Sequence, residues 1–100
     1  MKLSIVERIT LLGILPPEGD IVTMRLIKKL RENLGFTETE IKENNITSSE
    51  GKISWTNSGY EAEIEIGEKA TDVIVDSLKA VNESKKVKEE MLPLFEKFCP

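Results

Sequence analysis

Apolar and polar positions change period twice along the chain, and those changes divide it into elements. Ile5, Val6, Ile9, Leu12 and Ile14 recur at near-helical spacing. Ser4-Ile5-Val6-Glu7 has the form of a capping box, in which the serine oxygen and the glutamate satisfy each other's backbone amides. Pro16-Pro17 ends this run, because proline offers no amide donor and restricts the residue before it. The spacing predicts a first helix over about residues 4–15. Glu18-Gly19-Asp20 reads as a turn with Asp20 as the next cap, and Ile21, Met24, Ile27, Leu30 and Leu34 then form the stripe of a second helix that stops at Gly35. Thr37 and Glu40 make another capping box, with Phe36 and Ile41 placed to staple over it, so a short third helix ends near Asn44-Asn45.

Beyond the turn Ser48-Ser49-Glu50-Gly51 the period falls to two. Ile53 and Trp55 alternate with Lys52, Ser54 and Thr56; Tyr60, Ala62, Ile64 and Ile66 alternate with Glu61, Glu63 and Glu65. Two such runs around Asn57-Ser58-Gly59 predict a β-hairpin with one apolar and one acidic face. Gly67 breaks the alternation, and Ala70, Val73, Ile74, Leu78 and Val81 form the stripe of a fourth helix, ending around Asn82. Val87, Met91, Leu94, Phe95 and Phe98 suggest a fifth helix from Ser84, kinked or broken in two at Pro93. The expected fold is a single α+β domain over residues 1–100, mostly helical, in the order α-α-α-β-β-α-α. Residues 1–66 supply three helices and one hairpin, and residues 67–100 the two C-terminal helices. That order resembles a winged helix-turn-helix with two helices appended. The resemblance lies in element order and length, with no diagnostic motif.

Charge changes the meaning of that resemblance. The net charge is −4, which argues mildly against non-specific nucleic-acid binding. Most of the excess lies in residues 36–66, where a winged helix would carry its reading head; this segment nets −5. Glu38, Glu40 and Glu43 on the third helix would face phosphates and be repelled, while base edges prefer Arg, Lys, Asn or Gln. Asn44 and Asn45 lie only at its end. The third helix therefore reads as a folding device. On the second helix Arg25, Lys28, Lys29 and Arg31 are the candidate phosphate contacts, although a solvated helix face is the preferred explanation for them.

Catalytic chemistry finds little to use. The chain has no histidine and one cysteine, Cys99, so histidine-based triads, histidine-ligated metals and an intrachain disulfide are excluded. The glycines stand singly near element boundaries, and no phosphate loop is formed. Glu61, Glu63 and Glu65 lack the loop geometry of a hard-cation site and are better explained by solubility and a protected strand edge. No enzyme activity, metal or cofactor is expected. No signal-peptide pattern follows Met1-Lys2 and no run reaches the length of a membrane span, so the expected setting is cytoplasmic, with no membrane partner.

Two surfaces remain as candidate partner sites. One is the apolar C-terminal segment with Met91, Leu92, Leu94, Phe95 and Phe98, rich enough to leave part of itself uncovered for a homodimer or another protein. The other is the acidic ladder Glu61, Glu63 and Glu65. Trp55 and Tyr60 near the predicted hairpin turn are read as core more than as interface anchors.

The stretches "ITLLGILPPEGDIVTMRLIKKLRENLGFTETEI" and "EIEIGEKATDVIVDSLKAVNESKKVKEEMLPLFEKF" are similar to small uncharacterised proteins of bacterial phages and mobile elements, over most of the chain. The resemblance implies an accessory, cytoplasmic setting and brings no activity. The expected function is a non-catalytic protein-interaction module. A sharper form has its acidic face occupy a nucleic-acid-binding surface on a host protein. The alternative is a winged-helix DNA-binding regulator.

Overall fold

The computed structural model describes residues 1–57 and 59–99. It is mixed α and β, mostly helical, with two small antiparallel two-stranded sheets. Strand β1 (Lys2–Ser4) leads directly into helix α1 (Ile5–Ile14). Helices α2 (Ile21–Leu34) and α3 (Glu38–Asn44) follow, then strands β2 (Thr47–Ser49), β3 (Lys52–Ser54) and β4 (Glu61–Glu63). Helix α4 (Glu68–Glu83), a 3-10 turn (Glu89–Met91) and helix α5 (Leu92–Phe98) complete the chain.

The local signals set the helix ends. Both capping boxes form: Ser4 Oγ accepts from the Glu7 amide and Thr37 Oγ1 from the Glu40 amide, while each glutamate reaches back to the cap amide. Asp20 caps α2 through the Thr23 amide, and Asn45 closes α3 in the left-handed region at φ 51°.

Strand pairing departs from the expected hairpin. The acidic run pairs with the N-terminus, Leu3 opposite Ala62, instead of with Ile53 and Trp55. The hairpin is β2–β3; of the predicted turn Ser48-Ser49-Glu50-Gly51, only Glu50-Gly51 form its two-residue tip, with φ of 51° and 75°, while Ser48 and Ser49 belong to β2. Two positive φ values match the right-handed twist of the flanking strands. Alternation specifies which side of a strand is apolar and leaves its partner open, and β1, three residues long, is too short to show a period of its own. Of the expected Asn57-Ser58-Gly59 turn, Ser58 lies outside the described residues, and Tyr60 N–H donates to Asn57 O. Every residue of β2 and β3 is exposed, so Ile53 does not pack as a core residue.

This exposure gives a local prediction. A Cβ at Gly51 meets no atom within 4 Å, yet its φ of +75° strains any L side chain. Gly51→Ala is expected to destabilise the hairpin by about 1 kcal/mol. Amide shifts over residues 47–54 should collapse toward random-coil values while the urea midpoint followed by far-UV circular dichroism barely moves. A large loss of global stability would show that the hairpin supports the core.

One core joins the elements. Leu3 of β1, Leu11 of α1, Ile27, Leu30 and Leu34 of α2, Ile74 and Leu78 of α4 and Leu94 of α5 are each at most 2% exposed, and Ile64 and Phe98 close the cluster. Of the two outcomes expected at Pro93, the C-terminal pattern is broken into two short pieces, the 3-10 turn Glu89–Met91 and α5, with Pro93 just inside the second. Pro93 occupies the first turn of α5, where a missing amide costs no hydrogen bond. The chain from Ser84 to Lys88 is non-helical, so the C-terminal helix is shorter than its apolar pattern suggests. Among the described residues, no helix is long and apolar enough to cross a membrane.

Candidate functional site

The most densely bonded polar group is a buried node that periodicity did not reveal. Arg8 projects from the buried side of α1 and is 1% exposed. Its Nε donates to Leu34 O at 3.0 Å and its Nη2 to Gly35 O, which satisfies carbonyls at the C-terminus of α2. Its Nη1 and Nη2 form a two-pronged bond to Glu40 Oε2 and Oε1 at 2.6 and 3.1 Å. The Phe36 ring lies under the guanidinium, 4.3 Å from its carbon to the ring centroid. The Tyr60 hydroxyl donates to Glu40 Oε2 at 2.9 Å. The Arg8 bonds hold the Glu40 carboxyl well below its usual range, at about 2, against the opposing effect of burial. The Tyr60 phenol is raised, chiefly because it donates to that carboxylate. This node ties α1, the α2–α3 turn and the approach to β4 together, and its polar atoms are consumed internally. One signal for it exists in the sequence: Arg8 stands three residues from both Ile5 and Leu11, inside the apolar stripe.

The third helix is held in the same way. Asn44 is 1% exposed and its side chain donates to Glu40 O, while Asn45 donates to Thr56 Oγ1. The two asparagines a DNA reader would use are occupied. On α2, Arg25, Lys28, Lys29 and Arg31 are all exposed; the first three share a face and Arg31 lies off it.

Most of the apolar residues of the C-terminal segment are covered within the chain itself. Leu94 and Phe98 are buried in the core, Phe95 packs against it and Met91 is half-buried, leaving Leu92 as the exposed member. The short α5 turns Leu94 and Phe98 inward together, one helical turn apart, and so covers most of the apolar residues counted as surplus.

The acidic ladder has a different outcome. Ile64 N–H donates to Met1 O at 2.8 Å and the Met1 ammonium donates to Ile64 O at 3.0 Å, so these two residues exchange bonds. Bonded and non-bonded pairs alternate along an antiparallel ladder. Leu3 and Ala62 are the next bonded pair, and the backbone groups of Lys2, Ser4, Glu61 and Glu63 therefore point away from the β1–β4 ladder. On the β1 side Lys2 O and Ser4 N–H find partners: Lys97 Nζ donates to Lys2 O, and Ser4 N–H donates to Glu7 Oε1. On the β4 side Asn33 Nδ2 donates to Glu65 O at 3.3 Å, and Glu61 and Glu63 have no strand beyond them among the described residues.

A groove of about 410 Å³ opens between α2, the start of α4 and the segment that follows β4, at Glu65 and Gly67. Leu26, Leu30 and Ala70 give it an apolar floor, and Lys29, Asn33, Glu65 and Lys69 stand around it. A smaller hollow of about 240 Å³ lies between α1 and the hairpin, against Val6, Ile9, Ile53 and Trp55. Among the described residues, no group of three or more acidic or cysteine side chains is placed to hold a metal ion.

No protein-family model matches the chain, and neither a curated protein nor a solved structure matches it. The winged-helix likeness therefore has no neighbour behind it, and the fold is described as α+β from its own elements.

Proposed function

We propose that the protein is a small non-catalytic interaction module that grips a partner polypeptide in the groove beside β4. The observation that carries this reading is the apolar floor of Leu26, Leu30 and Ala70 inside a rim of Lys29, Asn33, Glu65 and Lys69, just past the end of β4. Concave apolar surfaces with a few orienting polar groups are where proteins hold ligands. The polar side chains lining the groove are lysine, asparagine and glutamate, with no cysteine, serine or threonine among them to serve as an activated nucleophile. An accessory, cytoplasmic role of the phage-protein kind suits such a module.

Selection from a random peptide display library tests it. Peptides enriched on the wild-type protein are expected to lose at least about tenfold in affinity on Leu26→Asp, the ratio that about 1.4 kcal/mol produces. Circular dichroism should show both proteins equally folded. Failure to enrich any peptide overturns the reading. Salt-reversed binding of duplex DNA, read from Trp55 fluorescence, would then assign the exposed cations of α2 to phosphate contacts.

A further inference from the structure

We infer that the free edge of β4 accepts an extended, lysine- or arginine-rich segment of a partner protein as a third strand; this rests on the interaction reading and specifies its partner. The backbone argument comes first. Glu61 and Glu63 each direct an N–H and a C=O away from β1, and both residues are exposed. These four groups have the spacing that an added strand needs. The edge of β1 offers no equivalent, because Lys97 and Glu7 occupy Lys2 O and Ser4 N–H. In the β2–β3 hairpin the two-residue tip makes Ser49 and Lys52 the bonded pair, so each strand turns only one residue outward, Ser48 or Ile53. The β4 edge thus offers two outward residues on one strand.

Charge then selects the occupant. Glu61, Glu63 and Glu65 project to the exposed side of the sheet, while Ala62 and Ile64 project inward. Lys97 already lies 3.7 Å from Glu61, and the N-terminal ammonium 2.7 Å from Glu63. Three carboxylates thus face two cations, one of which, Lys97, also pairs with Glu7 at 2.7 Å, so the ladder stays net negative. A second copy pairing through the same edge would bring glutamates opposite glutamates, which destabilises a ladder. A partner strand with cations at alternate positions reverses that sign. Its intervening residues then face the inward side of the sheet, with Ala62 and Ile64.

Three synthetic ten-residue peptides test this on the full chain by amide NMR: one alternating lysine with valine or threonine, one with glutamate replacing each lysine, and the lysine peptide N-methylated at alternate amides. The lysine peptide is expected to bind and to slow hydrogen exchange at the Glu61 and Glu63 amides. The glutamate and N-methylated peptides should bind at least about tenfold more weakly. Glu61→Lys combined with Glu65→Lys should reverse the preference between the lysine and glutamate peptides. Equal binding of the N-methylated peptide, or binding without protection at Glu61 and Glu63, overturns strand addition. Silence of the lysine peptide also overturns it. If display still yields Leu26-dependent peptides, the interaction module stands and only the basic third strand falls.

Discussion

Arg8→Met is expected to remove about 3–5 kcal/mol of stability, the usual cost of taking one partner from a buried ion pair. A domain of this size has about 5–15 kcal/mol in total, so the loss is a large fraction of its stability and should shift the urea midpoint strongly. The cause is what remains behind. Glu40, 9% exposed, would keep its charge with only the Tyr60 hydroxyl and the Thr37 amide as donors. Leu34 O and Gly35 O at the end of α2 would lose their donors as well. Arg8→Lys should rescue only part, because a single ammonium cannot span both glutamate oxygens and the two carbonyls. Replacing both members, Arg8→Met with Glu40→Gln, should be less harmful than Arg8→Met alone, since no buried charge is then stranded. Urea unfolding midpoints of the four proteins check this order. A midpoint for Arg8→Met close to wild type would mean that the node is not a support of the fold.

The features legible in the sequence were those decided locally. Ser4 with Glu7 and Thr37 with Glu40 announced helix starts because each capping box closes within four residues. Gly35 and Asn45 marked helix ends for the same reason. Strand partners could not be read, because pairing Leu3 with Ala62 joins residues from opposite halves of the chain and alternation carries no address. Arg8 was visible as a charge inside an apolar stripe, but its bonds to Glu40 and to the end of α2 depend on how three elements cross. The apolar C-terminus looked surplus because a count of Met91, Leu92, Leu94, Phe95 and Phe98 ignores where α5 lands. Once it packs on α4 and the sheet, only Leu92 stays exposed. Of the candidate site, the acidic ladder was legible from its period. The free edge and the groove were not, since both follow from β4 pairing with β1 and from Asn33 reaching Glu65.

Acid should weaken the fold through the same node. The Glu40 carboxyl is lowered from 4.5 to about 2, first by its hydrogen bonds from Arg8. A carboxyl depressed in the folded state contributes stability that is complete above its unfolded value and is lost as pH falls through the folded value. At about 1.4 kcal/mol per unit, the contribution is of order 3 kcal/mol at neutral pH. Loss should begin below about pH 4.5 and be nearly complete near pH 2. Asp20 is also lowered, mainly by the Thr23 amide, and Glu63 by the N-terminal ammonium, but both stand in solvent and add little. The urea midpoint of the wild-type protein is therefore expected to be level from pH 7 to pH 5 and to fall steeply toward pH 2. Glu40→Gln, which has no proton to gain at this site, should start lower and fall less over the same range. The two curves should converge in acid, because protonating Glu40 and replacing it both remove the anion that Arg8 grips. A wild-type midpoint that stays level to pH 2 would show that the Arg8–Glu40 pair does not form, and with it would go the reason for α3 to sit where it blocks its own asparagines.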